Sequence, residues 1–167
     1  MKVFIDGSSL GNHVKQMNRK GGIGIFIDKN NINNVSETIS DNNITNNRME
    51  LLACLKVLTL IKDNKIQCDS NDNICIYCDS EYTINCVTKW IHNWKKNNWK
   101  KSDNKSILNV DIIQQIDILL TNIKNIKFIH TNSHLQEPKN CSKEEYEIWY
   151  GNKMADELAC LASNKVI

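Results

Sequence analysis

The chain has one proline, no long apolar run and a net charge of only +2 over 167 residues. No stretch approaches the twenty or so apolar residues of a bilayer span, which excludes a transmembrane helix. The opening "MKVFIDGSSLGN" has too short an apolar run for a secretory leader and meets an acid at Asp6. The expectation is an intracellular protein, cytoplasmic or nuclear, without a signal peptide. The small net charge announces no polyanionic partner, although a local basic patch can act where the total does not. "CIYC" (Cys75, Cys78) lacks a second C-x-x-C, and in a strand its two thiols point to opposite faces, which argues against zinc. The seven cysteines are an odd, scattered set and read as reduced thiols packed as small hydrophobes. There is no repeat and no linker, so residues 1–167 read as one domain with a sizeable core, and Pro138 marks a loop. Asparagine is abundant instead, and reads as compositional drift that inflates polar loops such as "DKNNINNV".

The apolar patterning is that of an α/β protein. "KVFIDG" (2–7) reads as a strand. "GGIGIFID" (21–28) reads as a second, its glycines permitting close backbone approach. A weaker third strand falls near Val35–Ser40. In "TNNRMELLACLKVLTLIKDN", Glu50, Ala53, Cys54, Val57 and Ile61 share one helical stripe, with Thr45 or Asn46 as N-cap. "NICIYCD" is a strand ending at Asp79, and Ser80 caps the helix that follows. "NVDIIQQIDILLTNI" is an amphipathic helix, "IKFIHT" the last strand, and "NKMADELACLAS" the closing helix. Residues 135–150 read as an irregular insertion. The order implies a mixed sheet with flanking helices.

Four carboxylates fall where α/β proteins build sites. Asp6 and Asp79 end apolar strands, and strand ends are where ligands bind. Glu50 is expected in the first turn of its helix, on the inward stripe. Asp156 is expected in the first turn of the last helix, beside the small residues Ala155 and Ala159. Singly, each is explained as a turn, cap or helix-end residue. Together they would repel by roughly 4 kcal/mol per pair at 4 Å and an effective dielectric of 20, so such a cluster survives by binding cations. Hard oxygen ligands suit Mg²⁺ or Mn²⁺. Two such ions about 3.5–4 Å apart can activate water and stabilise the leaving oxygen of a phosphodiester.

"KWIHNWKKNNWKKSDNK" (89–105) sets Trp90, Trp94 and Trp99 among six lysines. Lysines there would neutralise phosphates. At least one tryptophan, Trp94 or Trp99, is expected to hold the segment together instead.

The words "DGSSLGN" (6–12), "TNNRMEL" (45–51), "CDSEY" (78–82), "KWIHNWKKNNWK" (89–100), "NVD" (109–111) and "GNKMADELA" (151–159) resemble the type 1 ribonuclease H family, close to its bacterial members. They come in family order and span nearly the whole chain. The resemblance implies a ribonuclease H-like fold, a five-stranded mixed sheet flanked by helices, with residues 89–105 as a basic helical protrusion along the DNA strand. It implies metal-dependent endonucleolytic cutting of the RNA strand of an RNA/DNA hybrid, with two Mg²⁺ ions (Mn²⁺ possible) and 3′-hydroxyl and 5′-phosphate products. By motif, Asp6, Glu50, Asp79 and Asp156 are the metal carboxylates and His134 the auxiliary histidine, with His130 inside the last strand. Ser9, Asn12, Asn46 and Asn47 match contacts to the hybrid's backbone and minor groove, where short polar side chains read the 2′-hydroxyl. Thr45 and Asn109 match a DNA-phosphate pocket, and Trp90, Lys95 and Lys96 belong to the protrusion. A monomer is expected, with no membrane contact and no N-terminal hybrid-binding domain.

Two departures stand out. Residues 135–150, "LQEPKNCSKEEYEIWY", exceed the family's usual connection, and read either as a lid or an extra helical turn near the metals or, preferably, as a surface insertion whose aromatics pack back on the body. Asn43 replaces a basic residue near the phosphate pocket. The rival readings are a different nuclease of this fold, a catalytically silent hybrid-binding module, and a structural α/β domain whose acids merely cap helices.

Overall fold

The computed structural model describes residues 1–10, 19–67, 73–132 and 136–164. Its five strands are β1 (Lys2–Leu10), β2 (Lys20–Phe26), β3 (Val35–Ile39), β4 (Ile74–Cys78) and β5 (Ile126–His130). They form one mixed sheet in the order β3-β2-β1-β4-β5. β1 pairs antiparallel with β2, and β2 with β3; β1 and β4 run parallel, as do β4 and β5. The helices are α1 (Asn46–Lys62), α2 (Glu81–Asn85), α3 (Ile91–Lys96), α4 (Val110–Asn122) and α5 (Lys143–Asn164). A π-helical turn, Cys86–Trp90, joins α2 to α3.

Alternation along the strands decides which residues face which layer. Val3, Ile5, Ile23, Ile25 and Ile76 pack under α1 and α4 with Leu51, Val57 and Ile113. Phe4, Phe26 and Tyr77 face the other way, toward Ala155 on α5. Cys75 packs with this second layer and Cys78 with the first, as strand alternation requires. Cys54, Cys78 and Cys86 are buried, and all six described cysteines are free thiols.

α5 runs alongside β1 in the same direction. Lys2 Nζ pairs with Glu144 (3.3 Å) and Glu147 (3.1 Å), Gly151 lies against the Phe4 ring, and Ser163 Oγ bonds Ser8 Oγ at 3.1 Å. A side chain at Gly24 would strike the backbone of Ala155 and Ala159, so α5 sits directly on β2 there. This is the close approach expected of the glycine-rich strand.

The irregular stretch expected over 135–150 is corrected from Lys143 on: residues 136–142 are outside any helix or strand, and residues 143–150 are helical. The helix starts at Lys143, about two turns earlier than the patterning suggested. Its start is a reciprocal capping box: Glu145 N donates to Ser142 Oγ (3.2 Å), and Ser142 N donates to Glu145 Oε2 (2.8 Å). The aromatics of the stretch pack back on the body, with Tyr150 edge-on to Phe26 at 5.8 Å. Glu144 and Glu147 of the same stretch reach Lys2, four residues and roughly 13 Å of strand away from Asp6, while Trp149 lines a cleft with His130.

Candidate active site

Asp6 is the fifth residue of β1, and only 7% of it is exposed. Its neighbour Gly7 lets α1 press on the strand, because any side chain there would collide with the backbone of Met49 and Glu50. That approach delivers Glu50, also 7% exposed, past the strand to Asp6. Thr45 is the N-cap, its Oγ1 accepting from Arg48 N at 3.2 Å. Glu50 is thus the fifth helical residue and starts the second turn, not the first. Asp79 follows β4 directly, where Ser80 Oγ caps α2 by accepting from Thr83 N at 3.2 Å.

Ligand oxygens of Asp6, Glu50 and Asp79 lie within 4.8 Å of one another. Asp156 lines the same cleft from α5. It lies well inside the helix, rather than in its first turn, because the helix begins at Lys143. Its Oδ1 accepts from Cys160 Sγ at 3.5 Å. Burial pushes the Asp6 carboxyl up to about 6, a hydrogen bond with Glu50 moderates the rise, and the charges of Asp79 and Asp156 add to it. Burial, and then the Asp6 charge, hold Glu50 well above the usual carboxylate range. Buried like charges with few compensating donors and only hard oxygen atoms are the donor set a divalent cation satisfies.

Ser9 and Asn46 are tied together: Asn46 Oδ1 accepts from Ser9 Oγ (2.5 Å) and Ser9 N (3.2 Å). Asn46 and Asn47 are exposed, and both line the acidic cleft. Asn109 precedes α4 in the left-handed region (φ 57°) and makes no side-chain cap bond. Its amide instead lies 3.4 Å from both Arg48 Nη1 and the Tyr82 hydroxyl.

Arg48 is the residue the sequence reading passed over. Its guanidinium reaches Asp41 (2.9 Å) and Asp111 (3.0 and 2.7 Å) besides Asn109, and joins α1, the preceding loop and α4. Asn43 N also donates to Asp41, at 2.7 Å, and Arg19 Nη1 donates to the Ile44 carbonyl beside Thr45 at 3.3 Å. A signal existed: the chain uses two arginines against nineteen lysines. An arginine kept in a lysine-rich chain points to bidentate geometry.

In the protrusion, Trp90 is 38% exposed and packs on Tyr82 (6.0 Å) and Trp94 (5.7 Å). Trp94 and Trp99 pack against the core, the internal role expected of at least one of them. Lys96 is exposed, whereas Lys95 Nζ is paired with Asp117 of α4 at 2.9 Å. His130 ends β5 exposed, with its ring Nε2 3.2 Å from the Asp79 carbonyl oxygen. Asn12 and His134 lie outside the described residues.

β1 runs on to Leu10, so Asp6 lies within the strand rather than at its end, just past the last parallel pair with β4. With Asp79 after β4, Glu50 from α1 and Asp156 from α5, it defines an acidic site on this strand order. The comparisons agree with the class. The RNase H family model matches residues 1–164. A ribonuclease H of Ruthia magnifica is 31% identical over 98% of this chain and 95% of its own. The ribonuclease HI of Haemophilus ducreyi is 33% identical over 98% of this chain and 90% of its own. A foamy viral protease–reverse transcriptase, solved with an RNA/DNA hybrid, superposes with a TM-score of 0.70 at 19% identity, over 99% of this chain and 20% of that one. The chain belongs to the RNase H family and is an enzyme of that kind. Among the described residues no helix is long and apolar enough to cross a membrane.

Proposed function

We propose that this chain is a divalent-metal-dependent endonuclease that hydrolyses the RNA strand of RNA/DNA hybrids, leaving 3′-hydroxyl and 5′-phosphate ends. The carrying observation is the cluster of Asp6, Glu50 and Asp79 oxygens within 4.8 Å, two of the three residues buried. Asp6, Glu50, Asp79 and Asp156 would hold two Mg²⁺ ions, with Mn²⁺ as an alternative. Bound there, the ions would supply charge for activating water and for stabilising the leaving oxygen.

The chain's own residues do the rest. Gly7 and the Thr45 cap fix α1 so that Glu50 meets Asp6. Ser9, Asn46 and Asn47 offer short polar groups at the cleft, suited to a 2′-hydroxyl, and Asn12 would join them. Thr45 and Asn109 form a polar corner for a DNA phosphate, with the Arg48 guanidinium behind them already paired with Asp41 and Asp111. Trp90, Lys95 and Lys96 carry the protrusion's share of the DNA strand; Lys95 would exchange Asp117 for a phosphate. His134, beyond the end of β5, serves as the auxiliary histidine. The chain would act as a monomer.

The test is a hybrid labelled on each strand in turn, with Mg²⁺ and then with chelator. Cutting of the RNA strand alone, lost with chelator and in Asp79→Asn, is the expected outcome. A hybrid that is bound and never cut with either metal would instead mark a silent binding module.

A further inference from the structure

A second cleft opens beside the acidic one, at the outer edge of the sheet. His130, Asn132, Gln136, Glu145, Ile148 and Trp149 are among its lining residues. His130 joins the two clefts, since its ring stands 3.2 Å from the carbonyl oxygen of Asp79. β5 is two strands from β1, which at a strand spacing of about 4.8 Å sets it roughly 10 Å from Asp6. A nucleic-acid strand that crosses Asp79 therefore passes the mouth of this cleft.

The lining selects what can enter. Ile148 and the Trp149 indole supply apolar and aromatic surface. The amides of Asn132 and Gln136 offer donors and acceptors together. No lysine or arginine stands among the described lining residues, and Glu145 brings a carboxylate whose Oε2 is held by Ser142 N and Oγ at 2.8 Å. The Trp149 ring is flanked by Tyr146, with centroids 5.4 Å apart, and by Lys153 Nζ at 5.4 Å, so a stacking group would take the place of that exposed lysine. With its carboxylate and amides the lining accepts a flat neutral group with a hydrogen-bonding edge. A nucleobase fits that description, and aromatic side chains are its usual stacking platform. A base inside a duplex has its edge and faces engaged, so the occupant is unpaired.

We propose that this cleft is a subsite for an unpaired base of the RNA strand, at a junction where RNA leaves the hybrid as a single strand. The proposal rests on the reading of Asp6, Glu50 and Asp79 as the RNA-cutting centre, and it makes junction hybrids better substrates than blunt ones.

The test compares a blunt hybrid with hybrids whose RNA strand runs on, unpaired, at either end, carrying 2-aminopurine as the first unpaired base. For one RNA extension the KM should fall about fivefold or more below the blunt value, the lower range for a stacked base. Trp149→Ala and the exposed Gln136→Ala should each return it to the blunt value and leave blunt-hybrid kinetics unchanged. Binding in chelator should quench the 2-aminopurine with the wild type and not with Trp149→Ala. Equal KM values with an unquenched probe would overturn the proposal, as would an advantage that survives both substitutions or arises equally from a DNA extension. If no hybrid is cut, the nuclease reading fails, and quenching in chelator still decides the subsite.

Discussion

At the scale of single residues, the acidic site works against the fold that carries it. Asp6 and Glu50 are buried beside each other, and both hold protons more tightly folded than unfolded. For Asp6 the sign is clear. A folded value of about 6 against 3.8 means its favourable contribution is complete below 3.8 and is lost as pH rises through 6. The metal-free protein should therefore lose stability between pH 4 and 7, and added Mg²⁺ should restore it most above pH 6. Asp6→Asn or Glu50→Gln removes one of the repelling charges. Each should raise metal-free stability at pH 7.5 by roughly 1–3 kcal/mol, within the ~4 kcal/mol repulsion of two charges at 4 Å, while ending hydrolysis. Paired thermal melts with and without Mg²⁺ check this. These acids were legible in the sequence because each is an odd residue in an apolar pattern: Asp6 closes "KVFI" and Glu50 interrupts the buried stripe of α1. Arg48 was not, because its meaning lies in Asp41 and Asp111, which chain folding alone brings near.

At the scale of elements, the site depends on two close approaches, α1 on Gly7 and α5 on Gly24. Gly24→Ala would drive a methyl group into the backbone of Ala155 and Ala159, and backbone cannot rotate away. The expected outcome is a destabilisation of about 3 kcal/mol or more, at the upper end for overpacking, and displacement of Asp156 from its cleft. A urea melt, beside a measurement of Mg²⁺ affinity, reads both. The strands and α1 were readable because period two and period 3.6 are strong signals in apolar sequence. The first two turns of α5 hid for a local reason. Gly151 and Asn152 look like a boundary, whereas the glycine is there to admit the Phe4 ring inside a continuous helix. The box Ser142–Glu145 was the signal that marked the true start. The π turn at Cys86–Trp90 left no trace in periodicity, since it displaces the helix by one residue only.

At the scale of the whole molecule, charge is divided rather than abundant. The net charge of +2 hides exposed lysines on the protrusion and acids gathered in the cleft. Replacing Lys96, Lys100 and Lys101 with alanine should reduce the slope of log K against log salt by about 2–3, since each phosphate contact contributes about 0.9. Hybrid-binding titrations at several salt concentrations test it; an unchanged slope would place the DNA strand elsewhere. The asparagines, read at first as filler, also have a place in the whole. Among the described residues with positive φ other than glycine, Asn64, Asn98, Asn104, Asn109, Asn125 and Asn140 stand with Trp99 alone. Asparagine is one of the few side-chain-bearing residues that tolerate this conformation. The chain thus turns many of its described corners without glycine, and its described glycines stand where helix and strand touch. Two residue types that could share one job have been sorted into hinges and contact points. A lineage could therefore exchange glycine for asparagine at every bend, and drift far in composition, while the few glycines that hold the acids in register stay fixed.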